Sequence, residues 1–415
     1  MPVHRNVSPH IYALSTIGIA AVSYIVFFHW KIDKEYFFIP ILGLALLYAI
    51  VNIVCNRFDP RPLQKKPGIR ILLRKSASRY VVWLLIIFLG YELYALTPYY
   101  NTPPFKENVD FFRTLLNLYI FVGFPYFLLT LYFKASSSED FFDPAIRLIH
   151  MAKQITFRIL RGDSHKSVFL VLRNKYNRKV LLTFLMRSYF IPVMVGQVYG
   201  NMAQAIYMGD RFSINHSFME ILFWLSAFIW LTDTINASVA YCFESRWLEN
   251  RTRSIDLTLS GWVVCLFSYS PLNIITSYIF PFAPAVVNED PASLIYASVT
   301  LFYIVKILQV SLLALHVYID LSLGPSVANI TFKKLQTRGV YGLVRHPGTI
   351  TKLTFWLLIS GFYKGFWTTK MILGQLGWSV IYVLRALTEE RHLKKHKEYQ
   401  DYMKKVRYRF MPGVF

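Results

Sequence analysis

Long apolar runs recur along this chain and restrict its fold more than any other feature. A membrane-spanning helix needs about 20 consecutive, mostly apolar residues. Hydrophobic residues make up 55% of the 415 positions, a share that would leave a soluble domain with too much exposed apolar surface. We therefore predict an all-α, polytopic membrane protein with about ten transmembrane helices, of which the third and ninth are short enough to be tilted, re-entrant or interfacial. The predicted spans are residues 11–29, 36–54, 80–96, 111–133, 181–208, 216–241, 257–280, 293–319, 350–364 and 367–387.

Basic residues are concentrated in alternate connections between these spans. Eight Lys or Arg lie within 57–79, ten lie within 134–179, and more follow the sixth span, the eighth span and Glu390. The intervening connections 97–110 and 281–292 hold one and none. Positively charged loops remain in the cytosol, so we predict that both termini and all the basic connections are cytosolic. The membrane is then a bacterial inner membrane or the endoplasmic reticulum.

The net charge of +22 also limits the classes of partner. Basic side chains near a membrane attract anionic headgroups by about 1 kcal/mol each, so we expect anionic lipids as partners. No recognised nucleic-acid-binding motif accompanies the charge, and we expect no nucleic-acid partner. The first span is long and no small-residue cleavage site follows it, so we expect a true span rather than a cleaved signal peptide.

Several polar residues interrupt the apolar runs of the central section. A charge at the centre of a membrane costs about 2.5–3.5 kcal/mol on insertion scales, so such residues should pair or line a wet cavity. Prolines in the same section should kink or end their helices. The polar residues are Arg187, Glu220, Asp233, Lys306 and His316, and the prolines are Pro192, Pro271 and Pro281.

The three cysteines lie far apart and show no metal-binding spacing. We expect Cys55, Cys242 and Cys265 to be buried thiols, and we expect no metal site. The chain divides into three sections: a four-helix section with a basic cytosolic segment (1–180), a central four-helix section (181–320), and a C-terminal section (321–415). The basic segment mixes apolar and basic residues with fair helical periodicity, which favours a surface helix.

The C-terminal section contains the sequence Arg345-His346-Pro347 directly before an apolar run. Proline is favoured at the first position of a helix, and the free N–H groups of a helix start bind anions. Arg345 and His346 beside that helix start could therefore hold a cofactor carboxylate. Alternatively, they only mark the cytosolic end of a span.

Arg385 and Glu389 lie four residues apart on the last predicted span, so they share one helix face. A local ion pair would explain this spacing. Alternatively, the glutamate binds a ribose hydroxyl or a cationic group while the arginine binds a substrate anion. In the tail that follows, one face of a predicted interfacial helix is apolar, which suits a lid over a membrane-level cavity. That face comprises Leu393, Tyr399, Met403 and Val406.

The order and spacing of these motifs resemble the integral-membrane methyltransferases related to isoprenylcysteine carboxyl methyltransferase. The resemblance covers roughly residues 325–415 and rests on motifs in a fixed order. These are Gly339-Val340-Tyr341, Arg345-His346-Pro347, Arg385 with Glu389-Glu390 and Leu393, Glu398-Tyr399 with Tyr402 and Val406, and Pro412.

The resemblance implies a cofactor, a substrate class and a set of site residues. The cofactor would be S-adenosylmethionine, bound from the cytosol, and the substrate would be a lipophilic or lipidated acceptor that enters from the bilayer. Arg385 would face the substrate, and Arg385 and His346 would be the catalytic residues. The residues implied to bind the cofactor are Leu335, Tyr341, Arg345, His346, Pro347, Glu389 and Glu390.

One stretch departs from the family pattern. The family usually follows His-Pro with a small or polar residue, a tyrosine, and a glycine two positions further on, whereas this chain has Gly348 followed by Thr349 and Thr351, so the tyrosine and the glycine are missing. The chain's ending also resembles membrane sterol reductases, which bind NADPH, although their Asn-Tyr-x-Gly-Asp continuation is absent. A reductase and a non-catalytic lipid-binding relative are therefore the alternatives to a methyltransferase.

Methyl transfer needs alignment and exclusion of water more than a strong acid. An acceptor carboxylate would be neutralised by Arg385. An amine or hydroxyl acceptor would need a base as well, and His346, Glu390 and His316 are the candidates.

Overall fold

The computed structural model describes residues 7–55, 68–102, 106–134, 144–286 and 290–413. Within these ranges it is all-helical apart from one antiparallel pair of two-residue strands, β1 (Ser254–Ile255) and β2 (Thr331–Phe332). The helices are α1 (Pro9–Trp30), α2 (Ile39–Cys55), α3 (Ile69–Leu96), α4 (Lys106–Lys134), α5 (Pro144–Leu160), α6 (His165–Arg173), α7 (Lys175–Asn215), α8 (Phe218–Cys242), α9 (Leu259–Leu266), α10 (Asn273–Ile279), α11 (Val299–Leu321), α12 (Pro347–Gly361), α13 (Thr369–Leu393) and α14 (Lys397–Lys405).

Eight helical segments in the described ranges are long and apolar enough to cross a membrane. They correspond to eight of the ten predicted spans, so the all-α, multi-pass prediction is confirmed at that level. The third span, predicted to be short, belongs to the 28-residue helix α3. The first three turns of α3 are rich in basic residues, so they were not part of the predicted apolar run.

The seventh and ninth predicted spans differ from continuous long helices. Residues 257–280 form α9 and α10, separated by turns over residues 267–272 that include Pro271. Proline lacks a backbone N–H and clashes with the preceding turn, which explains the break. The ninth span is the 15-residue helix α12, which is about 22 Å long. By contrast, α7 continues through Pro192.

Two backbone pairings mark the opposite ends of α11. The strand pair β1–β2 joins the chain just before α9 to the chain just after α11. A bridge between Leu294 and Tyr363 joins the chain just before α11 to the chain just after α12. Because the 23 residues of α11 span about 34 Å, the two pairings lie at opposite ends of the helical bundle. The chain that contains α9 and α10 therefore connects one end of the bundle to the other, and so does the chain that contains α12.

Helices α1, α2, α7 and α8 form the main core. Tyr48 of α2 is fully buried and donates to Asn236 Oδ1 of α8 at 2.7 Å. Large apolar side chains such as Leu96 and Phe121 lie on the outside, 76% and 78% exposed. Membrane lipid can cover such side chains, whereas water cannot do so favourably.

Two of the five intramembrane polar residues form ion pairs, as expected. Arg187 pairs with Glu244, and Glu220 pairs with Arg211 at 2.6 Å. Pairing offsets part of the cost of burying a charge.

The other three intramembrane polar residues line cavities. The Lys306 ammonium lies 5.3 Å from the ring centres of both Phe223 and Phe302. Lys306 also lines a cavity of about 280 Å³ between α8, α11 and α12. Asp233 and His316 line a second, larger cavity, described below.

The basic segment after α4 is described from residue 144 onward and is helical, as predicted. Its helices α5 and α6 leave several apolar side chains exposed, including Leu160 at 79% and Phe169 at 64%. That pattern suits a helix lying on a membrane surface. Among the cysteines, which are all free, Cys265 is buried and the other two are half-buried.

Candidate active site

A buried carboxylate, Glu390, organises the C-terminal section. Its side chain is 1% exposed, with Oε1 2.6 Å from Arg345 Nε and Oε2 3.0 Å from Arg409 Nε. Arg345 Nη1 also donates to the carbonyls of Val406 and Arg407, at 2.7 and 2.6 Å. Arg345 Nε and Nη1 and both oxygens of Glu390 are therefore engaged with the protein itself.

Backbone bonds fasten the same loop to the tail. The Arg345 N–H donates to the Tyr408 carbonyl at 3.0 Å, and the His346 N–H donates to the Arg409 carbonyl at 2.9 Å. The His346 ring, 8% exposed, lies with Nε2 3.6 Å from Glu390 Oε1. The loop that begins α12 is thus positioned by the tail and by Glu390 together.

The tail helix α14 packs its apolar face inward, as predicted. Tyr402 donates from its hydroxyl to the Tyr341 carbonyl at 2.6 Å. Burial raises the pKa of Tyr399 and of Tyr402 well above the usual value, so both phenols stay neutral. The buried cluster comprises Phe332, Leu393, Tyr399, Tyr402 and Val406, with Leu335 and Met403 against it.

A cavity of about 440 Å³ lies between α8, α11, α12, α13 and this tail. That volume falls in the range of small-molecule sites, about 300–1,000 Å³. Seven of the eight residues predicted for the site line it, and the exception is Glu390. The seven are Leu335, Tyr341, Arg345, His346, Pro347, Arg385 and Glu389.

The side chain of Glu389 is 48% exposed and lies 4.0 Å from His346 Nδ1. Pro347 is the first residue of α12, so the N–H groups of Gly348 and Thr349 belong to a helix start and lack intrahelical partners. Burial, with a smaller contribution from Asp320 and Glu389, raises the pKa of Tyr341 well above the usual value. This outer part of the cavity offers one carboxylate, neutral donors and a helix start.

Arg385 lies one helical turn deeper on α13, about 6 Å from the level of Glu389. It forms no ion pair with Glu389 in the described structure, so the local pair suggested by their spacing is absent. Instead, Arg385 Nη2 donates to the Tyr269 hydroxyl at 3.0 Å and to Asn329 Oδ1. Asn329 is held in turn by the Tyr241 hydroxyl, 2.7 Å from its Nδ2. The guanidinium is therefore fixed by neutral groups and keeps its full charge.

The inner part of the cavity carries charges of both signs. Asp320 and His316 come from α11, and Asp233 comes from α8, nine residues and about 13 Å before that helix ends. The ammonium of Lys352, on α12, lies 5.4 Å from the Tyr382 ring centre. Of these residues, Asp233 and His316 were predicted to pair or to line a wet cavity.

Sequence reasoning missed several lining residues. Asp320 lies at the end of α11 and Lys352 near the start of the predicted span 350–364, where a charge is ordinary, and Tyr269 and Asn329 carry no sequence signal. Lys333 is also a lining residue, 4% exposed, and donates to the Ala240 carbonyl at 2.6 Å. Burial, helped by the positive charge of Arg187, lowers the pKa of Lys333 to about 7.

Comparison with protein-family models found no match for this chain, and comparisons with curated proteins and with solved structures found none either. In the described part of the chain, no group of three or more His, Cys, Asp or Glu side chains could hold a metal ion.

Proposed function

We propose that this protein is a membrane-embedded methyltransferase that transfers a methyl group from S-adenosylmethionine to a lipophilic acceptor. One observation carries the proposal: a single cavity joins a half-exposed carboxylate, Glu389, to a fixed guanidinium, Arg385, one turn deeper in an apolar helix. A soluble, polar cofactor suits the outer level. The polar head of a lipophilic acceptor suits the inner level, where Arg385 and other charged side chains line the cavity.

The residues at the outer level match the groups of S-adenosylmethionine. Glu389 would accept from its ribose hydroxyls or its ammonium group, and the start of α12 would receive its carboxylate. Leu335 and Tyr341 would provide apolar and aromatic surface for the adenine. The cofactor supplies a methyl group on a sulfonium, which is already activated for displacement.

Arg345 and Glu390 have a different proposed role from direct cofactor contact. Because their polar atoms bind each other and the tail, they would position His346 and Pro347 at the cavity wall. The tail residues Tyr399 and Tyr402 would exclude water from the cavity. Exclusion of water strengthens every electrostatic interaction inside it.

The pairings at the two ends of α11 support ten membrane crossings with both termini in the cytosol. If the cavity end of α11 is cytosolic, then Leu294 and Tyr363 lie at the opposite face. The interrupted α9–α10 segment and the short helix α12 must then cross to reach them. This arrangement agrees with the alternation of basic connections and with a cofactor that arrives from the cytosol.

Calorimetry on the purified protein in nanodiscs tests the proposal. We expect S-adenosylmethionine to bind the wild type, and Glu389→Gln to weaken binding about tenfold, since a hydrogen bond to a charged group contributes roughly 1.5–3 kcal/mol. Glu398→Gln is the matched control. Glu398 pairs with Arg253 outside the cavity, and its loss should leave the affinity unchanged.

The alternatives give different results in the same experiment. Binding of NADPH without binding of S-adenosylmethionine would replace the methyltransferase with a reductase. Binding of neither cofactor would indicate a non-catalytic lipid-binding protein.

A further inference from the structure

His316 is the buried group whose chemistry remains unassigned. It lies on α11, five residues and about 7.5 Å before that helix ends, and its side chain lines the inner part of the cavity. The residue is 5% exposed. An imidazole at this depth can act on an acceptor that enters from the bilayer.

Hydrogen bonding fixes the tautomer of the His316 ring. Thr351 Oγ1 lies 3.0 Å from the Pro347 carbonyl and 3.3 Å from the Gly348 carbonyl, so its only hydrogen is donated to the backbone. Its oxygen must then accept from His316 Nδ1, which lies 3.2 Å away. A neutral imidazole protonated on Nδ1 has its lone pair on Nε2.

Nε2 is free to take a proton from a bound molecule. It has no hydrogen-bond partner among the residues that the structure describes, and Asp320 Oδ2 lies 3.9 Å from it. Asp320 also lies beside the first turn of α12, where a Cβ on Gly348 would be 3.4 Å from Asp320 Oδ1. The carboxylate can therefore stabilise the imidazolium that forms when Nε2 is protonated.

Each helix around this ring contributes a charged or titratable side chain to the same cavity. Asp320 shares α11 with it, Asp233 comes from α8, Lys352 from α12 and Arg385 from α13. The two cations oppose a permanent charge on the ring, and Asp320, with Oδ2 3.9 Å from Nε2, is placed to stabilise a transient one. A base that cycles between both forms needs such a balance.

The other candidate bases are less suited to the task. Glu390 does not line the cavity and is bound by two arginines. His346 lies beside Glu390 at the cytosolic end of the cavity, with Nε2 directed at that carboxylate. Of the three, His316 alone combines membrane depth with a lone pair that no protein group uses.

We propose that His316 is the general base of the reaction and that the acceptor is a hydroxyl or an amine on an apolar body, rather than a carboxylate. This inference rests on the proposed methyltransferase function. The acceptor's O–H or N–H bond breaks and its proton passes to Nε2. The acceptor lone pair bonds to the methyl carbon, and the C–S bond breaks with its electron pair left on sulfur. The products are the methylated acceptor, neutral S-adenosylhomocysteine and a proton on His316 that is released to water.

A test with chain-matched probes distinguishes the acceptor classes. Wild-type protein in nanodiscs is incubated with methyl-labelled S-adenosylmethionine and with dodecylphenol, dodecylamine or dodecanoate. We expect label in the phenol, the amine or both, and none in the carboxylate. His316→Gln should lower kcat by about 10²–10⁴-fold, the usual contribution of a general base, and leave the cofactor Kd unchanged. His150→Gln, on the exposed face of α5, is the control and should leave kcat unchanged.

A second measurement does not depend on turnover. Nitrogen NMR of histidine-labelled protein should show His316 with its proton on Nδ1, and Thr351→Val should mix the two tautomers. A proton on Nε2, an unchanged kcat in His316→Gln, or labelling of dodecanoate alone would overturn the base role. If the wild type bound no S-adenosylmethionine, the proposed function would fail first, and the inference would fail with it.

Discussion

The substitution Glu390→Gln tests whether one buried carboxylate holds the C-terminal section together. The carboxylate is 1% exposed and binds Arg345 and Arg409, and Arg345 is itself 7% exposed. Glutamine keeps the shape of the side chain but removes its charge. The substitution therefore leaves a buried guanidinium without its counter-ion.

The size of the effect follows from these contacts. Breaking a buried ion pair by removing one partner typically costs about 3–5 kcal/mol. Arg345 keeps its two carbonyl acceptors in the tail, so we expect the lower end, about 3 kcal/mol. At about 1.4 kcal/mol for each factor of ten, the tail should open about 100-fold more often.

Hydrogen exchange measures that opening directly. The N–H groups of Arg345 and His346 donate to tail carbonyls, so they exchange when the tail detaches. We expect their protection to fall about 100-fold in Glu390→Gln, and that of the α7–α8 core amides to remain unchanged.

The control is Glu398→Gln, which removes a carboxylate from the same section. Glu398 and its partner Arg253 are 41% and 50% exposed, and such surface pairs contribute about 0–1 kcal/mol. If both variants raised exchange at Arg345 and His346 equally, or if neither did, the assignment of Glu390 as the anchor would be refuted.

Two further predictions concern cavity residues. Arg385→Met should lower methyl transfer at least tenfold and change the Kd of S-adenosylmethionine less than twofold, and equal losses would contradict its placement at the acceptor level. For Lys333, burial lowers the folded-state pKa to about 7, whereas the unfolded lysine titrates near about 10.4. The unfolded chain binds more protons between those values, so stability should rise with pH from 7 to 10. Lys333→Met should flatten that rise in the thermal midpoint, and an unchanged slope would contradict the assignment.

Helical spacing alone predicted one feature of the cavity. The spacing of Arg385 and Glu389 predicts a shared face, and both side chains line the cavity. Periodicity did not distinguish Glu389 from Glu390. Neighbouring residues on a helix point about 100° apart, so one faces the cavity and the other faces the tail. Only the packing of α13 against the tail decides which of the two glutamates faces the cavity.

The length of an apolar run predicted spans well where the helix is continuous. Residues 257–280 are as apolar as other spans, yet they form two short helices. Pro271 indicated a break, but the turns around it and the place of Tyr269 beside Arg385 depend on contacts with α13. Asp320 and Lys352 were missed for a related reason. Charges near the ends of predicted spans are normal, and only the fold brings these two residues into one cavity.

The stretch in which the sequence departs from the methyltransferase pattern contains Thr351, whose hydroxyl forms a hydrogen bond with His316. Thr351 falls where that pattern has a different residue, and its hydroxyl links the Pro347 carbonyl on α12 to His316 on α11. A threonine with no role beyond packing would need only the backbone carbonyl as a hydrogen-bond partner for its hydroxyl. Because the oxygen also accepts from Nδ1, replacing it would free the ring to adopt the other tautomer, with its lone pair directed away from the cavity. The departure from the family pattern at Thr351 and the proposed base His316 are therefore joined by one hydrogen bond. An acceptor with an O–H or N–H proton needs such a base, whereas a carboxylate acceptor does not.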